Sequence, residues 1–323
     1  MRDVADIIQQ MMPTLERLEP ARQLYRRRQK TYLLILFLPL FALIAVSFTI
    51  EASVIGFIIA GVWFVIGILL YQFRAASHGR MYILHYKRTV IPALLGTIDP
   101  NLQYDPKSGI PSSTFVGTEL YQTSPDRYNT EDLIHGNYGK TYLQLAEIDA
   151  EERRTRTDSK GRSETYYVTI FDGLLLIADF HKHFHGRTFV FPDKAEKTFG
   201  SVGRFFQKMG GRRDTSLLRL EDPEFENAFA VYSTDRVEAR YILSTSMMRR
   251  ILDMRSRFGN EVRLGFKESC LFLSVPHSSP YLEPKTSLPA TETAQVQNML
   301  FELRYFLDTV EELDLNTRIW TKE

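Results

Sequence analysis

The chain has 323 residues, 44% of them hydrophobic and 24% charged, a composition typical of globular proteins and a length that allows one or two domains. Lys and Arg number 40 and Asp and Glu 39, and the net charge of +1 excludes a global field that would attract nucleic acid. The single cysteine, Cys270, excludes a disulfide framework and a zinc site with several thiolates. Its place in an alternating apolar run is typical of a small core residue.

Residues 1–30 are predicted to be helical, because their apolar residues recur at helical spacing. Pro13 and Pro20 interrupt this pattern and predict two short helices rather than one.

Two uncharged stretches follow, residues 31–50 and 53–73, and only Glu51 and Ala52 separate them. Each stretch is long enough to cross about 30 Å of hydrocarbon as a helix. A cleaved signal peptide fits less well, because thirty residues precede the first stretch and the second follows at once. We therefore predict a transmembrane helical hairpin over residues 31–73.

Positive charge flanks the predicted hairpin on both sides. The flanking residues are Arg22, Arg26, Arg27, Arg28 and Lys30 before the first span and Arg74, Arg80, Lys87 and Arg88 after the second. The connecting turn contains Glu51 and no Lys or Arg, so the positive-inside rule places both flanks in the cytoplasm. The segment 1–30, the C-terminal region and both termini are then cytosolic, and the lone cysteine agrees with a reducing compartment.

Residues 74–99 are predicted to form a juxtamembrane helix, and the prolines that follow mark a domain boundary near Pro100. Residues 100–192 form a β-rich cytosolic lobe in this prediction, since short apolar runs alternate with Gly or Asn breaks. The charged segment RTRTDSKGRSE is predicted to be a hairpin tip between two of the strands.

Residues 193–214 form a basic connector, and residues 215–323 are predicted to be an α+β lobe with a C-terminal helix over about 291–315. An earlier helix in this lobe is predicted to start at a cap among residues 244–246 and to end before Gly259. The predicted fold class is α+β, a transmembrane hairpin followed by a cytosolic, mainly antiparallel β domain with helices. Two lobes split near the connector and a small barrel with a C-terminal helix both remain open.

Four stretches of the chain are similar to a known family. They read NLQYDP, SPDRYNTEDLIHGNYGKTYLQLAEIDAEE, FDGLLLIADFHKHFHGRTFVFPD and LEDPEFENAFAVYSTDRVEARYILS. The chain beyond about residue 80 thereby resembles a bacterial membrane-protein family of unknown function, number 3137 of the domains of unknown function. The resemblance implies a protein of the bacterial inner (cytoplasmic) membrane with a cytoplasmic α+β domain, and it assigns no activity and no catalytic residues.

The segment from Asp179 to Asp193 holds three of the seven histidines. Strand alternation puts Asp179, His181, His183 and His185 on one face, and two imidazoles two residues apart can point at one metal ion. Asp179 would then be a third ligand or would orient a histidine. The alternative is a solvated strand face next to a turn at Gly186, and we expect no tight transition-metal site here.

The basic connector is a candidate for contact with the membrane surface. If it is helical, its apolar residues form one stripe with cations around it, as in helices that lie in a membrane interface. The candidate contact residues are Lys197, Arg204, Phe205, Phe206, Lys208, Arg212 and Arg213. Four glycines in the segment favour the alternative, in which the stripe packs on its own sheet.

Two other charged clusters have a functional and a structural interpretation. The carboxylates of EDPEFE (Glu221–Glu226) form either an acid–base pair or a helix start. The arginines of the earlier helix, Arg249, Arg250, Arg255 and Arg257, are either its solvated face or a site for phosphate or an acidic partner. The structural interpretation is favoured in both cases.

The leading functional interpretation is a membrane-anchored cytosolic interaction or scaffold module. Its expected partners are the lipid bilayer and an unknown protein, a homo-oligomer remains open, and no nucleic acid and no cofactor are expected. The alternative is a membrane-tethered metal-binding protein or enzyme that uses the strand from Asp179 to His185.

Overall fold

The structure is a computed structural model that describes residues 4–49, 53–70, 76–179, 185–193, 216–277 and 281–317. The chain forms two units. The helical unit comprises Met1–Thr97 and Leu282–Leu300, and the sheet unit comprises Ile98–Tyr281 and Phe301–Glu323.

Three helices open the chain: α1 (Val4–Thr49), α2 (Ser53–Leu70) and α3 (Ala76–Ile98). Within the described residues, α1 is the one helix long and apolar enough to cross a membrane, and the apolar part of α2, Val54–Leu69, is shorter. The Trp63 indole N–H donates to the carbonyl of Leu36 at 3.2 Å, so α1 and α2 pack against each other.

Helix α1 runs without a break through Pro13, Pro20 and Pro39. The prediction that residues 1–30 form two short helices is therefore wrong. Proline removes one hydrogen-bond donor and crowds the preceding turn, but packing on both sides of the proline can hold the helix together. Ile7 before Pro13 and Leu15 after it are both fully buried, which supplies that packing.

The helical unit has an apolar core of its own. Its buried side chains include Ile7, Leu15 and Leu18 of α1, Tyr86, Ile91 and Leu94 of α3, and Val296 and Leu300. The juxtamembrane helix predicted over 74–99 corresponds to α3.

A polar network joins α1 to the chain before the last helix. The Glu19 carboxylate accepts from Arg22 Nε at 2.9 Å and from the backbone N–H of Ala290 at 2.7 Å. The pKa of Glu19 is lowered to about 2, mainly because its carboxylate accepts the hydrogen bond from Arg22. Arg22 also donates to the carbonyl of Thr286 at 3.2 Å. The Glu19–Arg22 ion pair of α1 therefore contacts the backbone at both ends of the segment 286–290.

Among the described residues of the sheet unit, nine strands form one sheet. They are β1 (Leu102–Asp105), β2 (Arg127–Tyr138), β3 (Thr141–Thr157), β4 (Ser163–Asp179), β5 (Thr188–Pro192), β6 (Ser216–Leu218), β7 (Phe229–Ser233), β8 (Arg263–Lys267) and β9 (Cys270–Pro276). Their order is β1-β2-β3-β4-β9-β8-β5-β7-β6, and each strand runs antiparallel to its neighbours in this order. The predicted α+β class and mainly antiparallel sheet are confirmed.

Neither open alternative for the arrangement of the sheet holds. Strand β4 pairs with β9 from Gly173↔Pro276 to Asp179↔Cys270, so strands on both sides of the connector share one sheet rather than two lobes. A closed barrel would need its two end strands to pair. Within the described residues, β1 and β6 stand at opposite ends of the strand order.

In the described part of the chain, five further helices belong wholly or in part to this unit: α4 (Ser112–Gly117), α5 (Pro223–Ala228), α6 (Arg236–Ile242), α7 (Thr245–Phe258) and α8 (Thr293–Thr317), of which α8 begins in the helical unit. The predicted caps of α7 are confirmed, because the Ser244 hydroxyl accepts from the N–H of Met247 and Gly259 follows the helix with φ of 100°.

Both faces of the sheet are covered. On one face Phe115 of α4 packs with Phe171, Leu175 and Phe189 in a buried cluster. Strand alternation turns the neighbouring residues, such as Leu174 and Leu176, to the opposite face, and they are buried as well. Helices α7 and α8 meet through the stacked rings of Phe258 and Phe306, 5.5 Å apart, and Phe306 also contacts Tyr281.

Candidate functional site

The predicted histidine strand is only partly described. Asp179 is the last residue of β4 and pairs with Tyr142 and Cys270, whereas His181 and His183 lie outside the described residues. His185 follows them in an exposed bend, where its backbone N–H donates to Glu238 at 2.9 Å. The described residues do not test whether the three imidazoles converge. The expectation that they hold no tight metal stays a prediction.

The candidate membrane-contact residues of the connector also lie outside the described residues. These are Lys197, Arg204, Phe205, Phe206, Lys208, Arg212 and Arg213. Contact of this segment with a membrane surface stays a prediction.

The carboxylates of EDPEFE have structural roles. Asp222 is the N-cap of α5, where its side chain accepts from the N–H groups of Glu224 and Phe225 at 2.9 and 3.1 Å. Glu226 accepts from the backbone of Leu220 at 2.7 Å. The helix-start interpretation of this motif therefore agrees with the structure.

The arginines of α7 are used mostly for packing. The guanidinium of Arg257 lies 4.4 Å from the ring centroid of Tyr305 on α8, and Arg250 donates to Thr309 on the same helix. Arg255 lies over Phe229 and donates to Asn260. A phosphate site would need these cations to converge on one open point, and three of the four are directed at protein groups instead.

A different cluster brings acidic oxygens together. Glu131 and Asp132 on β2 and Glu147 on β3 each place a carboxylate oxygen within 4.8 Å of the others. The Asp132 side chain is buried, Glu147 is half-buried and Glu131 is exposed, so the cluster runs from the protein interior to the surface. We call these three residues the acidic cluster.

A bulge in β2 produces this arrangement. Glu131 stands opposite Glu147, but the register shifts between Glu131 and Ile134. Asp132 adopts φ of 59°, a left-handed conformation that is uncommon for a residue other than Gly or Asn. A regular strand would direct two consecutive side chains to opposite faces, whereas the bulge allows Glu131 and Asp132 to approach the same point.

Neighbouring groups fix the carboxylates. The hydroxyl of Tyr104 on β1 donates a short hydrogen bond to Asp132, and the backbone N–H of Tyr281 donates to Glu147 at 2.9 Å. The Tyr281 ring is 2% exposed, and within the described residues its hydroxyl has no hydrogen-bond partner. A buried hydroxyl without a partner is unusual, because its desolvation is not compensated.

The electrostatics of this region reflect burial and accumulated negative charge. Burial, and then the carboxylates of Glu302, Asp132 and Glu147, hold the pKa of Tyr281 well above its ordinary value. Burial also raises the pKa of Glu302, although His277 opposes that shift. The Tyr281 phenol is therefore a neutral hydroxyl, and the backbone of the same residue contacts the acidic cluster through Glu147.

The acidic cluster was not predicted from the sequence. Its signal was weak: adjacent Glu131 and Asp132 in a strand, and Glu147 about one strand and one turn later. Alternation in a regular strand separates adjacent side chains, so the pattern predicts one inward and one outward carboxylate. A glycine in a strand often indicates a bulge, but the left-handed position in this bulge is occupied by Asp132.

Comparisons with known proteins show a family match over part of the chain. Residues 169–315 match the family model described as protein of unknown function (DUF3137), which confirms the predicted resemblance over this region. No curated protein matches the chain. The crystal structure of the mycobacterial trehalose monomycolate transport factor A, TtfA, is 9% identical, with a TM-score of 0.33 over 70% of this chain and 94% of that one. At this score the likeness carries no argument about fold or function.

Proposed function

We propose that the protein is a membrane-anchored module of the bacterial inner membrane, with two spans, both termini in the cytoplasm and a cytosolic domain that binds a protein partner. The main support for the membrane anchor is the exposed apolar surface of α1 and α2. Most of the exposed large apolar side chains of the described residues lie between Leu33 and Leu69, and among them are Leu38, Phe41, Val54 and Ile58. An apolar surface of this extent is costly in water and favourable in hydrocarbon.

The geometry of α1 supports a helix that extends beyond the bilayer. It has 46 residues, and a rise of about 1.5 Å per residue makes it roughly 70 Å long, about twice the hydrocarbon thickness. Its first half carries the buried contacts of the helical unit and its second half the exposed apolar residues. The basic residues between Arg22 and Lys30 lie at the junction, on the side that the positive-inside rule assigns to the cytoplasm.

The long hairpin of β3 and β4 supports a role in binding a partner. Strand β2 pairs with β3 as far as Glu151, and β9 pairs with β4 from Gly173 onward. Beyond these points β3 and β4 pair with each other up to Thr157↔Ser163, and every residue from Arg153 to Tyr167 is exposed. Isolated two-stranded ribbons are marginally stable in water, so a ribbon of this length gains from contact with another molecule.

The ribbon carries side chains that favour protein contacts. Tyr166 and Tyr167 are exposed, and the guanidinium of Arg127 lies 3.3 Å from the ring centroid of Tyr167. Tyrosine and arginine are enriched among the residues that contribute most to binding at interfaces.

Photo-crosslinking in native membranes tests this role. A photoreactive amino acid at Tyr166 is expected to give an adduct of one discrete mass, and a mass of two chains identifies a second copy as the partner. The matched control is the same amino acid at Tyr241, an exposed tyrosine of α6. Equal adducts at both positions, or none at Tyr166, would refute the ribbon as the contact surface.

A further inference from the structure

We infer that Glu131, Asp132 and Glu147 form a binding site for a hard divalent cation, and we propose Ca²⁺ as the ion because it accepts longer and more variable ligand distances than Mg²⁺. The inference goes beyond the membrane-anchored module proposed above and does not depend on it. Three carboxylates supply the donor oxygens, and the cluster contains no histidine and no cysteine. Oxygen-only sites select Ca²⁺, Mg²⁺ or Mn²⁺ over Zn²⁺ and Cu²⁺, which prefer nitrogen or sulfur.

The spacing of the oxygens fits Ca²⁺. Oxygens bound to one Ca²⁺ at about 2.3–2.6 Å lie at most about 4.6–5.2 Å apart, and for Mg²⁺ at about 2.0–2.1 Å the limit is roughly 4.2 Å. The three oxygens of the acidic cluster all lie within 4.8 Å of one another. Small side-chain adjustments would therefore let them share a Ca²⁺ ion, and three or more further positions on the ion are left for second carboxylate oxygens or water.

Charge in the cluster also favours a cation. Asp132 is 1% exposed, and a carboxylate removed from water needs strong compensation to stay ionised. The Tyr104 hydroxyl donates a hydrogen bond to Asp132, and Glu131 and Glu147 bring two further carboxylates to the same point. A divalent cation would neutralise most of this charge, and the exposed Glu131 gives it a path from solvent.

The Tyr281 hydroxyl is the second, independent observation. It is buried and has no hydrogen-bond partner within the described residues. Its own backbone N–H donates to Glu147, and after burial the carboxylates that raise the pKa of its phenol are Glu302, Asp132 and Glu147. A water molecule on a cation at the cluster would donate to this hydroxyl and satisfy it, because cation sites of this class usually retain water.

Binding would link three parts of the sheet unit that are distant in sequence. Glu131 and Asp132 lie on β2, Glu147 on β3, and Tyr281 follows β9 and contacts Phe306 of α8. A cation that binds the folded state alone raises the stability of that state. The expected consequence is a sheet unit with a higher melting temperature in Ca²⁺.

Calorimetric titration with Ca²⁺ tests the site. The full chain is held in detergent micelles, and a chelator first removes any bound metal from the protein. We expect saturable heat of binding and a rise in melting temperature with Ca²⁺, and weaker binding of Mg²⁺. Glu131→Gln, a change at an exposed residue, should raise the Kd for Ca²⁺ at least tenfold. Asp132→Asn, which keeps an acceptor for Tyr104, should abolish binding. Glu164→Gln on the exposed ribbon is the control and should bind Ca²⁺ as the unaltered chain does.

Terbium luminescence gives a readout that does not depend on stability. Tb³⁺ resembles Ca²⁺ in its ligands and emits when a nearby tyrosine is excited. Bound Tb³⁺ should emit strongly in the unaltered chain and several-fold less in Tyr281→Phe with Tyr104→Phe, and Ca²⁺ should displace it. Absence of Ca²⁺ binding at millimolar concentration, binding of Zn²⁺ alone, or Ca²⁺ binding unchanged in Glu131→Gln and Asp132→Asn would each overturn the inference.

Discussion

Two arginines in the middle of α2, Ile58→Arg with Val62→Arg, are expected to stop α2 from crossing the membrane and to leave the C-terminal end of the chain on its outer side. Both side chains are exposed on the apolar surface of the helix, one turn apart. An arginine at the centre of a spanning helix costs about 2.5–3.5 kcal/mol on the insertion scale, so two cost about 5–7 kcal/mol. Without the second span, α1 alone would cross the membrane.

A phosphatase or fluorescent reporter after Glu323 measures this change. The matched control, Ile58→Leu with Val62→Leu, keeps the helix apolar and should keep the reporter in the cytoplasm. If the arginine pair leaves the reporter in the cytoplasm as well, α2 does not cross the membrane and the two-span hairpin is wrong.

Phe115→Ala is expected to lower the free energy of unfolding of the sheet unit by about 3–5 kcal/mol, the usual cost of a fully buried Phe. Phe115 is 1% exposed, and its ring centroid lies 5.2 Å from Tyr121, 5.6 Å from Tyr128 and 6.2 Å from Phe171. Removal of the ring leaves a cavity lined by aromatic groups, and the strands on which two of them lie cannot move in to fill it.

Urea unfolding of the full chain in detergent, followed by the near-ultraviolet circular dichroism of the tyrosines, measures this loss. Val116→Ala is the control, because its side chain is adjacent in α4 but 40% exposed. That change should lower the free energy by less than about 1 kcal/mol. Equal losses in the two variants would show that Phe115 is not the centre of this face of the core.

Local signals in the sequence predicted much of the fold. The Ser244 cap and Gly259 bound α7 as expected, since a hydroxyl acceptor and a residue of positive φ satisfy the ends of a helix wherever it packs. The charged tip between β3 and β4 was also located correctly, because a polar, glycine-containing stretch between two strand patterns leaves few alternatives to a turn.

Features that depend on distant contacts were not predictable in the same way. The continuity of α1 through Pro13 and Pro20 depends on burial against other parts of the helical unit, which outweighs the local effect of proline. The pairing of β4 with β9 joins strands almost a hundred residues apart, and the sequence of neither strand indicates which strand it pairs with. The acidic cluster depends on a bulge at Asp132, where the sequence has no glycine or turn motif.

Cysteine labelling from each side of the membrane directly tests the proposed two-span anchor with a cytoplasmic domain. In a Cys270→Ser background, single cysteines replace Ala52 in the turn between the spans and Lys160 at the exposed tip of the β3–β4 ribbon. In spheroplasts of a bacterial host, a membrane-impermeant maleimide should label the cysteine at position 52 at once. It should label the cysteine at position 160 only after the membrane is permeabilised. Labelling at position 160 in intact spheroplasts, or protection at position 52, would contradict a two-span anchor with a cytoplasmic domain.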